Sequence, residues 1–191
     1  MIADIKNLQN GKKYFYGYLY SMSIYTSKTI QKMPDILLYK LTDNVYRIIN
    51  TKNAPNAIHA GDIKISTEMR NRYQEELWID ALILNSNQRN QGIGTKILKF
   101  AENLSKQMGL NGRLGVRAAT LDFTSDTPPH KFYRKFGFSS DDKKMNKFID
   151  EFIECDEKLD FLKMPPVEMH YTPKNQPLKQ KILDWFYNLF S

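Results

Sequence analysis

The sequence predicts an α/β fold of the α+β kind, a sheet flanked by helices, and three observations predict it. Four strand-like segments follow one another between residues 36 and 84. A strand, helix, strand, helix order then runs from residue 77 to residue 137 around a glycine-bearing loop. Finally, 191 residues with 41% apolar and 26% charged side chains can bury a core, and no stretch approaches the ~18 consecutive apolar residues of a membrane span.

The elements follow from local pattern. The Tyr-rich stretch 14–25, YFYGYLYSMSIY, alternates partly like a strand but contains Gly17 and two serines, so the first 35 residues receive no assignment. ILLYKL and VYRII, within 36–50, read as a hairpin turning at Thr42-Asp43-Asn44. AIHAGDIKIS (57–66) and LWIDALIL (77–84) read as two more strands. Between Gly92 and Met108, Ile93, Ile97, Leu98, Phe100, Ala101 and Leu104 recur at helical spacing, and Gly109 supplies the stop. RLGVRAAT (113–120) reads as a strand, and Asp126 or Thr127 caps a short helix begun by Pro128 and ended near Gly137. Met145, Phe148, Ile149, Phe152 and Ile153 mark another amphipathic helix, VEMHYT (167–172) a strand, and 177–190 a last helix. The expected organisation is one domain over 1–173 and an amphipathic helical appendage over 174–191, whose apolar face docks on the chain itself, on a second copy in a homodimer, or on a membrane surface.

Charge divides unevenly. Residues 1–74 carry 11 basic and 5 acidic side chains, 75–138 carry 9 and 6, and 139–191 carry 8 and 10, so the first two parts are basic, +6 and +3, against −2 in the last, and favour an anionic partner. A phosphate-bearing cofactor, an acidic protein and RNA all meet that description, although no long Lys/Arg run marks a nucleic-acid arm. The lone cysteine, Cys155, excludes an internal disulfide, and His59, His130 and His170 have no metal-ligand spacing, so no metal is expected. The N-terminus has no apolar signal core, and a cytoplasmic location is expected.

The segment from Leu84 to Thr95, LNSNQRNQGIGT, joins a strand directly to a helix. Amides at a helix start have no intrahelical partners and the macrodipole adds partial positive charge, so this is an anion site, with Gly92 and Gly94 permitting close approach. It is not a Walker A loop and lacks the third glycine of the dinucleotide fingerprint. Downstream lies Phe132-Tyr133-Arg134-Lys135-Phe136-Gly137-Phe138. Together, Arg89-Asn90-Gln91-Gly92-Ile93-Gly94 and this Tyr…Gly-Phe element resemble the GNAT superfamily of acyl-CoA-dependent N-acyltransferases, in the right order and over roughly residues 57–138.

The resemblance implies a mixed, mostly antiparallel sheet with a splayed parallel strand pair at the cofactor site. It implies acetyl-CoA as acyl donor, with its pyrophosphate on Gln91, Gly92, Gly94 and Thr95 and with Arg89 and Asn90 at the edge. Leu82 and Leu84 fall where the family binds the pantetheine arm, and the Leu84 amide becomes an oxyanion donor, a kind of contact whose loss costs about 10²-fold. Asp126 stands where an asparagine is frequent at the pantetheine contact. Tyr133 falls at the acid that protonates the departing thiolate, a task suited to a phenol of reference pKa about 10. For the base the reading is Asp80, on a strand face shared with Glu76, Trp78, Leu82 and Leu84, where apolar neighbours would raise its pKa; Glu76 and ordered water are the alternatives. The activity implied is transfer of an acetyl group to a primary amine by direct attack in a ternary complex. The acceptor is left open among a protein amine, a small polyamine or sugar amine, and an aminoacyl-tRNA. A silent acyl-CoA-binding sensor or protein-interaction module is the rival.

Overall fold

A computed structural model describes residues 29–52, 57–71, 74–119, 128–154 and 165–174. Among them are seven strands, β1 (Thr29–Met33), β2 (Ile36–Lys40), β3 (Val45–Asn50), β4 (Ile58–Asn71), β5 (Gln74–Leu84), β6 (Leu114–Ala118) and β7 (Val167–Tyr171). Three helices accompany them, α1 (Ile93–Gln107), α2 (Pro129–Phe136) and α3 (Lys143–Glu154). The strand order in the sheet is that of the chain. β1 to β4 pair antiparallel, β5 with β6 parallel, and β6 with β7 antiparallel, so the sheet is mixed and mostly antiparallel, as the family resemblance implies. The stretch 14–25, Asp126 and the helix expected over 177–190 lie outside the described residues.

The chain forms two compact units, one holding the described residues up to Ile65 with Ala81–Lys96, the other Ser66–Asp80 with the described residues from Ile97 onward. In the first, the expected hairpin forms with Ile36 opposite Asn50 and Lys40 opposite Tyr46. Its turn closes through Leu41 N to Val45 O (2.8 Å) and Thr42 Oγ1 to Asn44 Oδ1 (3.1 Å). Ile36, Leu38, Ile48 and Ile63 are buried, which is the period-two pattern that made these segments legible. β4 begins where expected but continues past Ser66 to Asn71. The register against β3 shifts between Ile48 and Ile49, opposite Gly61, where an added Cβ would run into the Ile83 carbonyl of β5, so only glycine lets the backbones approach.

In the second unit, Leu77, Trp78 and Ile79 of β5 pair with Leu114, Gly115 and Val116 of β6. β5 itself continues to Leu84, beyond that register. From Ile97 onward α1 buries Ile97, Leu98, Phe100 and Ala101, and the chain leaves it through Gly109 at φ 81°. Ser105 Oγ then donates to Arg113 O (2.8 Å), tying the helix end to the start of β6. α2 corrects the expected cap: Pro128, not Asp126 or Thr127, holds the N-cap position, at φ −64°, with no side-chain cap bond. Pro129 at the first helical position has no N–H to satisfy, so the helix can start with one fewer orphan donor. Gly137, left-handed at φ 117°, ends it as expected, its N–H reaching Tyr133 O and Arg134 O. Arg134 binds both carboxylate oxygens of Asp150 on α3 at 2.7 Å.

Candidate functional site

In the first unit the glycine loop is held by its own side chains. Asn85 donates its backbone N–H to Ala60 O (2.9 Å) and its amide to His59 O (2.7 Å), fixing the end of β5 to β4. A single 3-10 turn over Ser86–Gln88 follows. The Gln88 side chain turns inward, 6% exposed, and its Oε1 accepts from Asn50 Nδ2 at 2.7 Å. Arg89 lies extended and folds back so that Nε donates to Leu84 O (3.1 Å). Asn90 takes φ 59°, and Gln91 donates its side-chain amide to Asn87 O (2.8 Å).

Gly92 has φ 74°, a conformation that disfavours any Cβ, although a Cβ there would meet no described residue within 4 Å. The glycine thus serves the backbone, and among the described residues the space above it is open. The first α-helical bond is Lys96 N to Gly92 O (3.2 Å), so the amides of Ile93, Gly94 and Thr95 precede the hydrogen-bonded ladder. The first turn of α1 carries no acidic side chain to compete for that positive end. Lys96 is drawn aside, with Nζ on Pro34 O (2.9 Å) and 3.6 Å from Asp35 Oδ2. Gln91 and Thr95 are exposed and Gly94 is buried at the second position of the helix; Leu82 and Leu84 are half-buried. The arrangement fits a diphosphate held by main-chain amides.

In the second unit the two candidate carboxylates of β5 part company. Asp80 is exposed, and its Oδ1 accepts from Ser66 Oγ at 2.9 Å. The apolar enclosure expected around it is therefore absent: Asp80 follows Ile79, the last β5 residue registered with β6. Glu76 is the buried one, 1% exposed. Its Oε1 lies 2.7 Å from His170 Nδ1, while Oε2 has no hydrogen-bond partner among the described residues. His170 Nε2 is 3.8 Å from Asp141 Oδ2, and Arg70 pairs with Asp141. Against the upward pull of desolvation, the Arg70 guanidinium holds the Asp141 carboxyl below its usual range. Gly115 makes room for this cluster, since a Cβ there would strike Trp78 and Glu76 Oε1.

Tyr133 is buried on α2, edge-on to Phe132 (5.1 Å) and Phe138 (5.4 Å), and burial pushes its phenol pKa up, so it stays protonated at any physiological pH. His130 is fully buried with Nε2 3.1 Å from Pro165 O, and burial lowers its pKa. Among the described residues no group of three His, Cys, Asp or Glu side chains is placed to hold a metal ion, and no helix is long and apolar enough to cross a membrane. Sequence reasoning missed Ser66, Asn50, Gln88 and the His170 contact. Each depends on a partner far along the chain, and nothing local marked them.

Residues 54–140 match the sequence profile of the acetyltransferase (GNAT) domain, a segment that carries β4, β5, the glycine loop, α1, β6 and α2. The chain carries a GNAT-superfamily domain. No curated protein matches the sequence. Among solved structures, the NatC complex bound to Gag peptide and CoA is similar at 18% identity and a TM-score of 0.39, over 50% of this chain and 57% of that one. Arabidopsis thaliana Naa50 in complex with the bisubstrate analogue CoA-Ac-MVNAL is similar at 20% and 0.38, over 51% and 58%. AtaTR bound with AcCoA is similar at 18% and 0.39, over 60% and 71%. The match thus spans less than two thirds of the first two chains.

Proposed function

We propose that the protein is an N-acetyltransferase that uses acetyl-CoA to acylate a primary amine. The observation that carries this reading is the GNAT profile match over a loop whose main chain is shaped for a diphosphate: positive φ at Gly92, open space above it, amides ahead of the ladder and an acid-free first turn. On this reading Gln91, Gly92, Gly94 and Thr95 hold the pyrophosphate by their amides, Arg89 and Asn90 shape the loop edge, and Leu82, Leu84 and Asp126 meet the pantetheine arm. When bound, acetyl-CoA supplies an activated acyl carbon.

The roles of the chain's own groups follow. The Leu84 N–H receives the developing oxyanion. Asp80 takes the proton of the incoming ammonium, the neutral amine then forms the C–N bond, and Tyr133 gives its hydroxyl proton to the sulfur as the C–S bond breaks, the surplus proton of the new amide nitrogen restoring the phenol. Burial favours Asp80 of the two acids: it is exposed, whereas Glu76 is buried with Oε1 on His170 Nδ1. Orientation by Ser66 replaces the desolvation first expected for Asp80, and its exposure leaves it accessible to an amine. The basic first two thirds of the chain favour an acceptor with acidic or phosphate-bearing surroundings, such as an acidic protein or an aminoacyl-tRNA.

The test is acetyl-CoA consumption with a panel of protein, small-molecule and aminoacyl-tRNA amines. Turnover with at least one amine, releasing one CoA per acetylated product, is expected. CoA binding with no turnover on any amine would replace this reading with that of a binding module, and absence of CoA binding would remove both.

A further inference from the structure

We infer that Asn50 and Gln88 are positioning residues for the diphosphate loop, a buried amide pair that holds the loop ready for CoA; the inference rests on the proposal that residues 89–95 bind the CoA pyrophosphate. The two side chains are 8% and 6% exposed and meet at 2.7 Å. Asn50 closes β3, directly after the buried Ile48 and Ile49. Gln88 ends the 3-10 turn and immediately precedes Arg89, the first residue of the loop motif.

The bond has one sense only. Asn50 Oδ1 already accepts the Lys52 N–H at 2.9 Å, so the other end of that amide, Nδ2, is the donor, and Gln88 Oε1 the acceptor. Two apolar side chains of the same size could fill this place with little or no loss of stability, because a buried amide pair gives back little more than its own desolvation cost. What the pair adds over an apolar contact is direction: it fixes one rotamer of Gln88, and through it the path of the backbone into Arg89.

Its place among the other tethers gives that direction a use. Asn85 fixes the loop's beginning to β4 by two bonds, and Lys96 fixes the first turn of α1 to Pro34 O between β1 and β2. The Asn50–Gln88 bond lies between those two and ties the loop to β3. Gln91, Gly92, Gly94 and Thr95 lie between it and Lys96. Without it the loop keeps its local bonds, Arg89 Nε to Leu84 O and Gln91 to Asn87 O, but loses its tie to β3, and the freedom so gained is lost again when a ligand binds, a cost that lowers affinity. The effect of removing it therefore falls on CoA affinity, and on the KM for acetyl-CoA more than on kcat at saturation.

The experiment is calorimetric titration of the full chain with CoA, for the parent and the double variant Asn50→Leu with Gln88→Met, together with the melting temperature of each. Replacing both partners leaves neither amide orphaned, and the Lys52 N–H that loses Asn50 Oδ1 belongs to an exposed residue and can turn to water, so the double variant is expected to melt within a few degrees of the parent and to bind CoA about tenfold more weakly. A folded double variant with the parent's Kd overturns the inference and leaves the proposed function standing. Should the double variant not fold, Asn50→Ala, which leaves Gln88 room to take a water, decides in the same way: weakened binding supports the inference and an unchanged Kd overturns it. A parent protein that does not bind CoA refutes the proposed function itself, and this inference falls with it.

Discussion

Asp80 and Tyr133 bear the two proton transfers of the proposed reaction, and each can be removed with little change in shape. Tyr133→Phe keeps the buried edge-on packing against Phe132 and Phe138 and loses only the hydroxyl. It is expected to bind acetyl-CoA normally and turn over about 10²-fold more slowly; a variant with the parent's kcat on a good acceptor rejects the acid role. Asp80→Asn keeps a partner for Ser66 Oγ but cannot take a proton. Its rate deficit is expected to grow as pH falls, where more of the amine arrives as ammonium, and a ratio of variant to parent rates that is flat across pH rules the assignment out. His130 yields a stability prediction. Burial lowers its pKa, so above about 6.5 the ring is neutral folded and unfolded, and below that value the unfolded chain takes up a proton that the folded chain refuses. Acidification from pH 7 to 5 therefore destabilises the parent, by at most about 2 kcal/mol from this group. His130→Gln, which keeps a donor for Pro165 O, is expected to show a shallower fall of melting temperature over that window; parallel curves would contradict it.

At the scale of elements, the strand-to-helix passage from β5 to α1 is, on the proposed reading, a binding surface built without a dedicated cationic side chain. Positive φ at Asn90 and Gly92 turns the chain so that the N-terminal amides of α1 precede the helical ladder, and tethers to β3 and β4 hold the turn. Gly92→Glu would place a carboxylate in the open space above the loop and force a side chain into the left-handed region. CoA is expected to raise the melting temperature of the parent and not that of the folded variant. An equal thermal shift in both would refute the diphosphate assignment. The element boundaries were legible where period and punctuation agreed: Gly109 and Gly137 end their helices as read, while β4 and β5 each extend past the segments read from sequence. Those extensions pass through Glu68, Arg70, Gln74 and Glu75, polar residues that the pattern leaves outside both strands and that neighbouring strands nonetheless draw into the ladder.

For the molecule as a whole, the net charge of +7 gives the acceptor question a physical handle. An acceptor attracted by that charge is captured faster at low ionic strength, because screening shortens the reach of the field to about 8 Å at physiological salt. With matched acidic and basic peptide amines, kcat/KM for the acidic one is expected to fall severalfold between 0.05 and 0.5 M salt, by order of magnitude of steering effects, while that for the basic one rises or stays level. Identical salt responses would remove charge as the selector.

By itself the sequence determined the alternation of strands and helices, the glycine loop at the one strand-to-helix junction where its amides count, and the register of Tyr133 against Gly137 and Phe138, because each is written within a dozen residues and depends on backbone preferences. Tertiary structure decided which face of each strand was covered and by what. Period two places Glu76 and Asp80 on the same side of β5, but the β6 register reaches only Ile79, and so one carboxylate is buried on a histidine 94 positions away while the other is exposed beside Ser66. The Asn50–Gln88 pair, 38 positions apart, is of the same kind. Long-range partners of polar side chains are chosen by packing, which no local pattern encodes.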